Sequence, residues 1–234
     1  MFDVGHVAKL HEIQSARLSA GQEGIGSEVE DLIRRLEAGG INQRRIQAKR
    51  LFDRGFGRDP SVKAKTFKAY LASIPQIPEG LIAEDSDLSL LSLCDPRPGL
   101  LRSCKLLGIQ YEELGYSEES IVPFNDRFPL PTEPFWFRHD DGRANRKRRP
   151  DHCRDELTGD IQAGSAMEGI FAFGHHPAIV VEDEHIIDLP RSVPRGDRVD
   201  CAYLGVWDGQ AKLNLDGLAG LANPYCGSLR VRRK

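Results

Sequence analysis

The densest run of chemically capable side chains is residues 138–149, Arg-His-Asp-Asp-Gly-Arg-Ala-Asn-Arg-Lys-Arg-Arg, with Pro150 and then Arg154 close behind. Guanidinium groups at this density suit phosphate oxygens, because each presents several fixed N–H donors and a permanent charge. Asp141 and Gly142 make a plausible turn that would lift Arg143, Arg146, Lys147, Arg148 and Arg149 off the fold, with Arg138 and Arg154 flanking them. Trp136 or Phe137 could stack a base. The expected partner is then RNA, DNA or another acidic surface, and Arg230, Arg232, Arg233 and Lys234 could extend the patch. The plainer reading is a solvated loop paired with acidic runs such as Glu182 to Glu184 or Glu118 and Glu119.

The best enzymatic reading centres on Cys153. With His152 beside it, Arg149 and Arg154 nearby, and Asp151 or Asp155 as an orienting carboxylate, its thiolate would be favoured. A buried, inert thiol is the alternative. Residues 164–169 do not form a nucleophile elbow, which needs glycines two positions on either side of the serine. Histidines and cysteines gather in the second half, yet no Cys-x-x-Cys or His-x-x-x-His spacing occurs. No metal or other cofactor is expected; His175, His176 and His185 are the ligand candidates if a site is assembled at long range.

The elements that must position these groups divide the chain into a helical module at 1–78, a strand-turn-helix connection at 79–122, and a β-rich domain at 123–234. In the module, Ser27 and Glu30 form a capping box, with Val29, Leu32, Ile33 and Leu36 as the buried stripe and Gly39 as a stop. Asn42 caps a following helix that ends near Asp53, and Asp59 with Pro60 opens another that Pro75 must terminate. The pair invites a helix-turn-helix reading, with Arg44, Arg45, Lys49 and Arg50 facing DNA, although any small bundle is built the same way.

Residues 88–93 alternate as a strand, residues 95–98 turn, and residues 100–107 form a short helix stopped by Gly108. Residues 123–137 interleave Pro123, Pro129, Pro131 and Pro134 with Phe124, Phe128, Phe135, Trp136 and Phe137, which reads as a stiff strap whose rings pack on a surface. Residues 169–173, 178–181 and 185–189 read as short strands, and residues 203–207, Asp208-Gly209 and 212–215 as a type I′ hairpin. A closing strand at 228–232 would complete a small sheet or partly open barrel. The expected class is α+β, mainly antiparallel in its second half.

The stretch from Arg149 to Leu157, residues 163–169, His176-Pro177, Asp188-Leu-Pro190 and Trp207-Asp-Gly209 together resemble an uncharacterised bacterial family, a domain of unknown function. The resemblance covers about the C-terminal half and implies a bacterial-type cytosolic protein, with no activity, cofactor or site attached.

Composition constrains the rest. At 40% hydrophobic and 29% charged residues the 234-residue chain should fold, and a net charge of -3 confines any polyanion-binding surface to a local patch. No apolar run approaches the ~20 residues that span a bilayer, and five widely spaced cysteines suit a reducing cytoplasm. The expectation is a non-enzymatic binding protein using the arginine-rich loop. The alternatives are an enzyme or small-molecule site near Cys153 and His175, and an interaction scaffold or homodimer built on the strap.

Overall fold

The structure, a computed structural model, describes residues 40–82, 87–111, 121–123, 129–157, 159–194, 200–218 and 220–233. The Ser27–Glu30 capping box, its apolar stripe, Phe124 and Phe128 lie outside these residues. The fold is mixed α+β with two mainly antiparallel sheets and no closed barrel among the described residues.

Helix α1 (Gly40–Asp53) already includes Asn42, so Asn42 is not its cap, and it ends where expected. The next segment departs from expectation. Asp59 accepts from the Ser61 backbone and hydroxyl at 3.0 and 2.7 Å, and this local turn, following a 3-10 turn at Phe56–Arg58, takes the place of a helix start. Helix α2 (Phe67–Ser73) begins instead at Thr66, whose hydroxyl accepts from Ala69 N, and stops just before Pro75. A single turn, α3, spans Glu79–Ile82. Strand β1 (Leu90–Cys94) then leads through the expected turn into α4 (Leu100–Leu107), closed by Gly108 in the left-handed region.

The first sheet has the order β1, β4 (Phe135–His139), β11 (Arg230–Arg232) and β5 (Ile161–Ala163), all antiparallel. The second has the order β10 (Cys226–Ser228), β6 (Ile186–Leu189), β8 (Asp200–Trp207), β9 (Gln210–Leu218) and β2 (Gln110–Tyr111). Its β8–β9 hairpin turns at Asp208 and Gly209 with φ of 52° and 70°, the expected type I′ chemistry. A separate ladder pairs β3 (Ile121–Pro123) with β7 (Ser192–Pro194). The expected closing strand is split. Its two halves join different sheets, and the chain crosses between them at Leu229, whose N–H donates to Asp188 O while its carbonyl accepts from Gly164 N.

Residues 169–173, which suggest a strand, belong to helix α6 (Ala166–His175). Ser165 and Glu168 make a complete capping box there. The helix is nearly apolar all round because it is enclosed, with Ile170, Phe171 and Ala172 fully buried between β1 on one side and β6 and β8 on the other. Helix α5 (Pro150–Glu156) carries Cys153, and residues 178–181 form a 3-10 turn at Pro177–Ile179 and one bridge from Val181 to His185 in place of a strand. One continuous core runs from Ala48 and Leu51 through Trp136 and Phe171 to Val231, so residues of all three sequence regions share it.

Arginines finish several helices. Arg44 donates to Leu71 O and Ile74 O at 2.6 Å and to Pro75 O at 3.1 Å beyond α2; Arg54 reaches Leu107 O at the end of α4, and Arg50 reaches His175 O at the end of α6. Arg138, buried, donates to Leu81 O and Ile82 O of α3 and to Leu88 O and Ser89 O. Carbonyls at helix ends lack internal donors and carry partial negative charge, which a planar fork satisfies in pairs. Thus Arg44 and Arg50 of α1 are turned to internal carbonyls, and the helix-turn-helix reading loses two of its four contacts. Arg44→Ala is expected to lower unfolding free energy by about 1–3 kcal/mol, with Arg44→Lys recovering only part of it because an ammonium cannot span the same carbonyls. Urea denaturation of the three proteins measures this.

Candidate functional site

The site is best approached through β1, an edge strand of the first sheet. An edge presents unpaired carbonyls, and here side chains cover them. Gln47 of α1 donates to Leu91 O and accepts from Leu93 N, both at 2.7 Å. His176 Nε2 lies 3.0 Å from Leu91 O and His175 Nε2 3.0 Å from Leu93 O. A carbonyl only accepts, so each imidazole carries its proton on Nε2. Burial pushes His175 down to about 3 and lowers His176, so both are neutral near pH 7.

His139, at the end of β4, is sandwiched in the same way. Its Nδ1 donates to Asp140 O at 2.7 Å, leaving Nε2 to accept from Ser92 Oγ at 2.9 Å. A serine–histidine pair of this geometry resembles a nucleophile and its base. Both residues are wholly buried, the third partner is a backbone carbonyl, and burial holds His139 at about 3. The pair is structural.

Beyond His139 the chain turns sharply over β10. Gly142 has φ of 77°, and a Cβ built on Gly227 would sit 2.2 Å from Gly142 O, so two glycines are required where these backbones cross. Asp140 accepts from Gly142 N, Arg230 N and Arg230 Nε at 3.1, 2.9 and 2.6 Å, locking the turn to β11. Asp141 pairs with Arg143, and its carbonyl accepts from His185 Nε2 at 2.6 Å. His185 Nδ1 in turn accepts from Arg146 Nε at 3.1 Å. The neighbouring aspartates diverge: burial raises Asp140 despite Arg230, whereas the donors of Arg143 overcome burial and lower Asp141.

This turn forms one wall of a cleft of about 650 Å³. Its charged side comprises Asp87, Asp140, Asp141, Arg143 and Arg230; its apolar side is Leu90, Ala144 and the turn from Pro177 to Ile179, with His176 at the edge of β1. A second concavity of about 680 Å³ is framed by Pro75, Pro78, Pro129, Pro131, Pro134 and Trp136. Trp136 is only 2% exposed, with Nε1 donating to Pro75 O, and Phe137 is fully buried, so neither ring stands out for stacking.

The arginine-rich segment is internally neutralised. Arg138 is buried on carbonyls, as above. Arg143 pairs with Asp141, Arg148 with Glu156, Arg149 with Asp151 and Arg154 with Asp155, while Arg146 donates to His185 and Glu184 O. Lys147 is exposed, with its backbone N–H on Asn223 O.

Cys153 lies on the inward face of α5 at 2% exposure, and His152 on the exposed face. Burial raises the Cys153 thiol, the opposite direction from an activated nucleophile. Among the described residues no three His, Cys, Asp or Glu side chains are grouped to hold a metal, and His175, His176 and His185 each bond a backbone carbonyl. Sequence reading marks His176, Arg143 and Arg230 as candidates and Asp141 only as part of a turn, but not Asp140, which meets Arg230 only through the β4–β11 pairing. No helix among the described residues is long and apolar enough to cross a membrane.

No family model matches this chain, and no similar curated protein or solved structure was found. The likeness to a domain of unknown function therefore rests on the residues that carry it.

Proposed function

We propose that the chain binds a small molecule in the cleft between the Asp140–Arg143 turn and the Pro177–Ile179 turn. The carrying observation is the lining itself: an apolar shelf faces a charged wall across about 650 Å³, with a neutral imidazole at the edge and two adjacent carboxylates of divergent acidity. Clefts of this size with a few convergent polar groups are the usual form of small-ligand sites. Binding of RNA, DNA or an acidic protein through the arginine-rich segment has less support, since Arg138, Arg146, Arg148 and Arg149 are already engaged by carboxylates and carbonyls of the same chain.

The test is a thermal-melt screen against small polar molecules, repeated with Ala178→Trp, which fills the cleft from an exposed position. A ligand at a hundred times its Kd is expected to raise Tm by about 5 °C or more, and the tryptophan to abolish the rise. Binding that survives the tryptophan would remove the cleft from consideration. Steep, salt-dependent oligonucleotide binding that disappears when Arg146, Lys147, Arg148 and Arg149 become alanine would favour the anionic partner instead.

A further inference from the structure

We infer that the cleft's ligand is a small carboxylic acid bearing an N–H or O–H donor next to its carboxylate, with a compact apolar side chain. This rests on the small-molecule reading above and follows from which lining groups still have hydrogen-bonding capacity.

On the charged wall, Arg143 uses Nη1 on Asp141 and its backbone N–H on the same carboxylate, while Nε and Nη2 make no bond among the described residues. Arg230 uses Nε on Asp140 and Nη2 on Asp87 O, leaving Nη1. Their two ion pairs fix the guanidiniums in place, so the remaining N–H groups are held without ligand. Preorganised N–H donors on two guanidiniums suit a carboxylate, which accepts on both oxygens. Asp140 accepts from three donors, and both oxygens of Asp141 accept from Arg143, so these two carboxylates are occupied within the wall.

At the other end, His176 spends its Nε2–H on Leu91 O, and Nδ1 is an unprotonated acceptor with no partner among the described residues. An acceptor fixed in its tautomer by a backbone carbonyl selects for a donor on the ligand. Between these two ends lie Leu90, Ala178 and Ile179, which offer contact to a small hydrocarbon group and no hydrogen bond from their side chains. An acid head, a donor beside it and a short apolar branch meet all three requirements.

Four probes that share the isobutyl unit separate the claims in calorimetric titration: L-valine, 2-hydroxyisovalerate, isovalerate and isobutylamine, which lacks the carboxyl group. The amino and hydroxy acids are expected to bind, isovalerate about tenfold more weakly for want of the donor, and the amine not at all. His176→Ala should bring the hydroxy acid down to the affinity of isovalerate without changing isovalerate itself. Arg143→Ala, at an exposed side chain, should weaken all three acids by about tenfold. Equal affinity for isovalerate and the hydroxy acid, or preferential binding of the amine blocked by Ala178→Trp, would overturn this inference while leaving the cleft reading standing. Acid binding indifferent to Ala178→Trp, or no binding by any molecule, would overturn both.

Discussion

Replacing Asp188 with asparagine is expected to stabilise the folded chain by about 4 kcal/mol at pH 8 and to change it little at pH 3. Asp188 lies in the middle of β6, paired in register with Ser228 on β10 and Tyr203 on β8. It is only 5% exposed, and its charge acts on the thiols of Cys153, Cys201 and Cys226, all themselves raised chiefly by burial. The nearby Arg154 donates to Pro190 O and pairs with Asp155. Burial pushes the Asp188 carboxyl from 3.8 to about 7, with no hydrogen bond or cation among the described residues to offset it.

The direction of the pH effect follows from linkage. The folded state holds the Asp188 proton up to about pH 7, whereas the unfolded chain releases it near 3.8. Between those values the folded state binds more protons, so wild-type stability falls as pH rises and levels off above about 7. Each tenfold in the proton equilibrium is ~1.4 kcal/mol, and a little over three such steps give the figure of about 4 kcal/mol. Asparagine mimics the protonated acid at every pH, so the variant's profile should be flat where wild type declines. Urea unfolding of both proteins from pH 3 to 9 measures it. Parallel profiles between pH 4 and 8 would mean that the carboxylate has a partner in the folded state.

The parts of the fold that were legible in the sequence are those whose chemistry is local. Asp208-Gly209 demands a tight hairpin and Gly108 a helix stop, and both are found, because positive φ is a property of one or two residues. Helix α6 carries an equally local signal in Ser165 and Glu168, yet Ile170, Phe171 and Phe173 are β-favouring and outweigh it in residues 169–173. Enclosure between two sheets removes the polar face that would have revealed the helical period. The roles of the arginines are the least legible. Arg50 meets its carbonyl 125 residues away, and Arg44 about 30, so composition reports a basic helix where the fold uses donors for helix ends. The cleft is legible only in pieces, since its walls come from residues 87–90, 140–144, 176–179 and 230.

The second large effect is expected at Glu168, and its pH dependence runs the other way. Its carboxylate, fully buried at the third position of α6, accepts from Ser165 N and Oγ at 3.0 and 2.7 Å and from Arg233 Nε at 2.8 Å, with Arg191 Nη1 at 3.7 Å. Burial alone would raise its pKa, but the two guanidiniums and the serine hydroxyl together hold it below 4.5. Glu168→Gln keeps the shape and takes the carboxylate charge of residue 168 away from Arg191, itself 2% exposed, and Arg233. Removing one member of a buried ion cluster typically costs about 3–5 kcal/mol, and that loss is expected at pH 7. Because the folded value lies below the unfolded one, the carboxylate stabilises the chain above about pH 4.5 and its contribution disappears as pH falls through the folded value. Wild type and Glu168→Gln should therefore converge in acid, where wild type and Asp188→Asn also converge, and diverge as pH rises, with Glu168→Gln below wild type and Asp188→Asn above it. A loss under about 1 kcal/mol at pH 7 would show that the two arginines find other acceptors and that the Ser165 cap alone fixes the start of α6.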